Sequence, residues 1–145
     1  MYHLKSIEKA LSIATAAHEG QVDKGGKPYI EHPIYVASLV NSESEKIVAL
    51  LHDVIEDTDI TLKDLYHQGF SKHILIAVDA ITKRSNEGYT EYLERLCQNS
   101  IAISVKIADM THNSDISRIS NPTVKDYDRV KKYQEKIEFL KAFKQ

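Results

Sequence analysis

Apolar residues recur at three- and four-residue intervals along almost the whole chain, the spacing that gathers them on one face of a helix. Leu4, Ile7, Leu11, Ala14 and Ala17 mark an opening helix that runs to about His18, and the glycines of GGKP then interrupt the pattern. Pro33 starts a second helix carrying Val36, Leu39 and Val40, since its missing N–H would be unpaired in a first turn anyway. Ser44 is placed to cap a third, Glu45 to Glu56, with Ile47, Leu50, Leu51 and Val54 on one side. Thr61, followed by Asp64, resembles the cap of a short helix ending at Gly69. Ser71 to Ile81, Tyr89 to Cys97, Ile101 to His112 and Thr123 to Phe143 complete the set. The β-branched residues of ISVKIADM (103–110) alternate as in a strand, but no second strand is available to pair with it, so helix is the expectation. No repeat, low-complexity run or linker divides the chain. The pattern predicts an all-α fold, a single compact helical bundle over residues 1–145.

Composition narrows the classes of function. A chain of 145 residues, 42% hydrophobic and 28% charged, buries well over half of its unfolded surface and needs no metal or disulfide merely to hold together. No apolar run approaches the roughly 20 residues of a membrane span, and MYHLKSIEKA lacks the basic start and apolar stretch of a secretory signal. With one cysteine, Cys97, read as a small buried residue on a helix, a reducing, cytoplasmic setting is expected. A net charge of −2 argues against a nucleic-acid partner, which requires a concentrated basic face. In the last segment Val130, Tyr133, Ile137, Leu140 and Ala142 lie amid lysines. They can close the core or form a homodimer face, and closure is the simpler expectation.

The stretch LLHDVIEDT (50–58) raises a chemical question. On one helix His52 lies about 40° from Glu56 and Asp53 the same from Asp57, so the four fall within a sector of about 140°. Adjacent like charges destabilise a helix, so something positive should offset them. A divalent cation is the natural candidate. His52 and Asp53 supply two donors, and further donors are on offer in PYIEHP, which holds His32, and in KIADMTHN, which holds Asp109 and His112. Two imidazoles with two carboxylates suit one transition ion, Mn²⁺ with Fe²⁺ or Zn²⁺ as alternatives, better than Ca²⁺ or Mg²⁺. Such an ion lowers the pKa of water and polarises a phosphoryl oxygen. Glu56 and Asp57 can take or orient the proton of that water, their mutual repulsion raising one pKa toward the working range. Lys24, Lys27, Lys83 and Arg84 lie near these segments and can meet substrate charge, with Lys24, in the loop before His32, the preferred phosphate contact. Tyr29 either lines the same pocket or buttresses the loop, and His112 either supports a ligand or packs.

AHEGQ (17–21), GKPYIEHPIYVA (26–37), ALLHDVIEDT (49–58), AITK (80–83) and VKIADMTHN (105–113) together resemble, in order and spacing, the HD phosphohydrolase superfamily and its RelA/SpoT-type alarmone hydrolase branch. The resemblance covers roughly residues 14–115. It implies an all-helical HD fold, a metal held by His32, His52, Asp53 and Asp109, and Glu56 and Asp57 serving the attacking water. It further implies that Asn113 contacts a nucleoside. Two positions depart from the branch: Asp23 stands where an arginine is expected against the base, and Asp115 where an arginine follows the HN pair. A chain of this length is expected to lack synthetase and regulatory regions. The reading is a phosphohydrolase acting on a small-molecule nucleotide, releasing pyrophosphate from the 3′ side of guanosine tetra- or pentaphosphate. The alternatives are the same site acting on another nucleotide or phosphate ester, and a non-catalytic HD sensor that binds metal and nucleotide without turnover.

Overall fold

A computed structural model describes residues 6–144, and among them the chain is helical, with no strand beyond an isolated bridge between Val22 and Pro28. The helices are α1 Ser6–Ala17, α2 Glu31–Ser38, α3 Glu43–Leu51, α4 Val54–Asp57, α5 Leu62–His67, α6 Lys72–Ile81, α7 Tyr89–Leu96, α8 Ser100–Asn113 and α9 Val124–Lys141, with a 3-10 turn at Ile116–Arg118. Leu4, expected in the first helix, lies outside the described residues.

Local chemistry explains most of the boundaries. Thr61 and Asp64 form the reciprocal cap expected of α5, and at the start of α9 the Thr123 N–H and hydroxyl both donate to the Asp126 carboxylate, at 2.8 and 3.1 Å. For α3 the cap is Ser42, not Ser44. The Ser42 hydroxyl accepts from the Glu45 N–H at 3.1 Å and the Glu45 carboxylate accepts from the Ser42 N–H at 2.9 Å, which satisfies two otherwise orphaned donors. Ser44 instead meets the His73 ring at 2.9 Å. Pro33 sits within the first turn of α2, which begins at Glu31. ISVKIADM is helical within α8. Its alternation misleads because α8 is covered on several sides, with Ile103, Ser104 and Val105 buried in succession.

The expected continuous helix from Glu45 to Glu56 is broken. α3 ends at Leu51, Asp53 takes φ −109° and ψ 0°, and the single turn α4 follows. The ring of His52 turns inward, its Nδ1 donating to the Ala49 carbonyl at 2.6 Å. LLHDVIEDT therefore does not present one continuous acidic sector: the break aims His52 and Asp53 separately from Glu56 and Asp57.

α3 is the central element. Ile47, Val48, Ala49, Leu50 and Leu51 are all buried, and α1, α2, α6 and α8 pack around them. α9 lies against α8 and closes the core through Ile137 and Leu140, while Val130 is only half-buried and Ala142 is exposed beyond the helix. Cys97 is also half-buried at the edge of the core, less enclosed than its sequence context suggested. Between α1 and α2 the loop approaches the 3-10 turn so closely that a Cβ at Gly25 would stand 2.8 Å from the Arg118 carbonyl oxygen. Among the described residues no helix is long and apolar enough to cross a membrane.

Candidate metal centre

Three parts of the fold meet at one point. His32 comes from the first turn of α2, His52 and Asp53 from the break after α3, and Asp109 from the buried face of α8. One donor atom from each lies within 4.8 Å of all the others. His32 Nε2 stands 2.8 Å and His52 Nε2 3.2 Å from Asp109 Oδ1, and His52 Nε2 lies 3.0 Å from Asp53 Oδ2. Donors about 2.1 Å from a shared transition ion, at right angles about it, would be about 3.0 Å apart, so these separations fit a single cation. The four donors are able to hold a divalent metal ion.

The surrounding groups orient these side chains. His52 is fixed by the Ala49 carbonyl, and His32 Nδ1 meets His112 Nδ1 at 2.8 Å, the two rings lying edge to edge with centroids 5.0 Å apart and planes within 10°. His112 thus touches a candidate ligand rather than joining the set, and the Tyr35 ring stacks on it at 4.2 Å. The Tyr29 hydroxyl donates to Asp53 Oδ2. Lys106 Nζ donates to Asp109 Oδ2 at 3.2 Å and Asn113 Nδ2 to Asp109 Oδ1 at 3.2 Å. Such partners set tautomer and ring orientation at metal sites.

The charges of the four donors and Lys106 are tightly linked. Burial opposes the charge of Asp109, but the Lys106 ammonium and the His52 and His32 rings outweigh it and hold the carboxyl well below its ordinary value. Asp53 is likewise depressed, burial and the Asp109 charge acting against His52 and the Tyr29 hydroxyl. Burial lowers His52, yet the two adjacent carboxylates prevail and raise it. Two buried carboxylates are thus kept charged side by side. At the rim, loss of water around its carboxyl, then the charges of Asp53 and Glu56, raise Asp57 above the usual carboxylate range. Glu56 Oε1 accepts from the Lys83 N–H at 3.0 Å, which ties α4 to the end of α6.

Lys24, Tyr29 and Asn113 line a cavity of about 310 Å³ together with His32, Arg118, Arg129 and Tyr133. A neighbouring cleft of about 340 Å³ shares Tyr29, Asn113, Arg129 and Tyr133 and adds Asp53, Asp109, Lys106, Lys132 and Lys136. Lys83 and Arg84 line neither. Lys83 Nζ donates to the Arg84 carbonyl, and the Arg84 guanidinium is paired with Asp79 at 3.1 Å. Asp23 is also committed: Oδ1 accepts from the N–H groups of Gly25 and Lys27, each at 2.9 Å, and Oδ2 pairs with Arg118 at 3.2 Å. A guanidinium therefore does reach this wall, from the 3-10 turn rather than from the loop. Asp115 is turned back to the N–H and hydroxyl of Ser117. Sequence reasoning did not single out Arg118, Arg129, Lys132 or Lys136, and it used Tyr133 only for the core. Only Lys106, one turn before Asp109 in VKIADMTHN, carried a local signal.

Comparison with known proteins agrees with this geometry. A protein named guanosine-3′,5′-bis(diphosphate) 3′-pyrophosphohydrolase in Escherichia coli O157:H7 is 34% identical over 125 residues, covering 76% of this chain and 18% of that protein. One named GTP pyrophosphokinase in Myxococcus xanthus is 33% identical over 128 residues, covering 76% of this chain and 17% of that protein. The chain thus spans less than a fifth of the length of these curated relatives. A solved structure, described as a metazoan orthologue of SpoT that hydrolyses ppGpp, superimposes with a TM-score of 0.74 at 24% identity, covering 99% of this chain and 87% of that one. The family model of the HD domain matches residues 10–113, from α1 to the end of α8 and across all four donors, and the chain belongs to the HD-domain family.

Proposed function

We propose that this protein is a metal-dependent phosphohydrolase that releases pyrophosphate from the 3′ side of guanosine tetra- or pentaphosphate. The observation that carries the reading is the convergence of His32, His52, Asp53 and Asp109 within 4.8 Å, beside a cleft lined by cationic side chains. The Escherichia coli relative named above supports the choice of substrate, and the solved neighbour shares the fold. Mn²⁺ is the proposed ion, with Fe²⁺ and Zn²⁺ as alternatives, because two imidazoles and two carboxylates suit borderline cations. A divalent ion there would lower the pKa of water and polarise a phosphoryl oxygen.

The chain's own residues do the rest. Asp57, raised above the ordinary carboxylate range by burial and the charges of Asp53 and Glu56, accepts the proton of the attacking water, although neither it nor Glu56 lines either cavity. Glu56 is held through Oε1 by the Lys83 N–H and orients the water with its other oxygen. His112 holds the ring of His32, and Tyr29 holds the carboxylate of Asp53. Lys24 meets phosphate at the mouth of the cavity and Asn113 the nucleoside, while Lys83 and Arg84, the other proposed contacts, would have to reach the substrate from outside both cavities. Incubating manganese-loaded protein with guanosine 3′,5′-bis(diphosphate) and separating the products tests this reading. GDP and pyrophosphate are expected, and Glu56→Gln and Asp57→Asn should each lower kcat by about 10²-fold or more with bound manganese unchanged. No turnover with Mn²⁺, Fe²⁺ or Zn²⁺ would remove the alarmone assignment.

One observation favours a second reading, another nucleotide or phosphate ester at the same site. The wall where an arginine was expected holds an Asp23–Arg118 pair instead. A substrate panel in which a non-guanine compound gives the higher kcat/KM would select it.

A further inference from the structure

The cleft beside Asp53 and Asp109 has a wall that neither the metal nor the acidic pair accounts for. α9 sends Arg129, Lys132, Tyr133 and Lys136 into it, opposite Lys106 of α8. Positions 129, 132, 133 and 136 follow helical spacing, so they form one stripe on a helix whose Ile137 and Leu140 are buried against the core. Two of the four cations in the cleft already have counter-charges: Lys106 pairs with Asp109 at 3.2 Å and Arg129 with Asp126 at 3.0 Å. Lys132 and Lys136 make no ion pair among the described residues. The Lys136 ammonium stands 3.9 Å from the centre of the Tyr89 ring, which holds it at the wall without neutralising it.

Like charges four residues apart on a helix are destabilising, and here exposed Lys132 and half-buried Lys136 line the same cleft as a third cation, Lys106. Partial burial and the nearby Lys106 and Lys132 charges accordingly lower the pKa of Lys136. Once a divalent ion balances Asp53 and Asp109, the cleft is left with an excess of positive charge. The adjoining cavity differs: Val22 and Ile119 give it apolar lining, and its Arg118 is tied to Asp23. The two spaces share Tyr29, Asn113, Arg129 and Tyr133, so they form two arms of one site with unlike chemistry.

We propose that Lys132 and Lys136 form a subsite for the terminal phosphate of a diphosphate arm whose inner phosphate lies at the metal centre. The subsite makes the protein selective for pyrophosphorylated substrates over phosphomonoesters, and it rests on the phosphohydrolase reading for the direction in which the arm enters. Titration calorimetry on manganese-loaded protein tests it, with inorganic pyrophosphate and orthophosphate as probes and Lys132→Met/Lys136→Met beside the wild type. Pyrophosphate binding should weaken about tenfold or more in the double variant, with orthophosphate binding and bound manganese unchanged, and Lys132→Arg/Lys136→Arg should restore it. Unchanged pyrophosphate affinity, or an equal loss for both probes, would overturn the subsite. The two readings fail separately. Lysine-dependent pyrophosphate binding without turnover of any nucleotide would remove the phosphohydrolase and leave the subsite, whereas alarmone turnover with the same KM in the double variant would do the reverse.

Discussion

The Tyr29 hydroxyl is placed to hold one of the candidate metal donors. Its ring packs against those of His18 and His32, at 4.9 and 5.7 Å, and its hydroxyl donates to Asp53. Burial, followed by the Asp53 charge, raises its pKa far above the ordinary phenol range, so the proton stays on Tyr29 and the bond keeps its direction. Tyr29→Phe keeps the ring packing and removes only that donor. Manganese affinity is expected to fall about 10–100-fold with thermal unfolding little changed, and equal affinity would show that Asp53 needs no such positioning. At this scale the sequence was informative where residues of unusual type cluster, as in LLHDVIEDT, and silent where common ones converge. Arg118 and Lys136 look like any solvated cation until the fold brings one against Asp23 and the other to the cleft.

Between elements, the junction of α6 and α7 shows how a clamp supports the site from outside it. Arg95 of α7 donates to Glu87 at 2.7 and 2.9 Å and to the carbonyls of Asp79 and Thr82 at 3.0 and 2.8 Å. It thereby adds donors to carbonyls at the end of α6, next to the Lys83 N–H that holds Glu56. Hydrogen bonds from Arg95 and from the Arg84 N–H pull the Glu87 carboxyl down to about 2. A carboxyl depressed in the folded state contributes stability that is full above its unfolded pKa of about 4.3 and is lost as pH falls toward the folded value. The Tm advantage of wild type over Glu87→Gln should therefore be constant near neutrality and shrink between about pH 4 and pH 2. A difference independent of pH would show that the pair contributes through packing alone. Helix existence was legible here and at α5 and α9, where caps are written locally. The break after Leu51 was not, because VIED continues the apolar spacing of α3 and the ring of His52 is drawn to partners on α2 and α8, distant in sequence.

Across the whole molecule the core and the centre are separable. Leu51, Leu65, Leu96, Val78 and Leu140 are fully buried and none of them is a metal donor, so the bundle does not depend on the ion for its hydrophobic stabilisation. Chelation is expected to lower Tm without unfolding the protein at 25 °C. Readdition of manganese at about 100 times its Kd should restore about 2.7 kcal/mol, read from thermal melts with helical circular dichroism unchanged between states. Loss of helicity on chelation would make the ion part of the core. The sequence by itself determined the helical class and pointed to α9 as the closing helix, because apolar periodicity is a local property that survives without coordinates, while His32, His52, Asp53 and Asp109 were expected as donors from the resemblance of their motifs to the HD family. Only the tertiary structure decided where α3 stops, that Arg118 reaches the cavity wall beside Asp23, and that α9 turns cations toward the donors. Each of those outcomes depends on a distance between segments far apart in the chain, and no spacing along the sequence encodes such a distance.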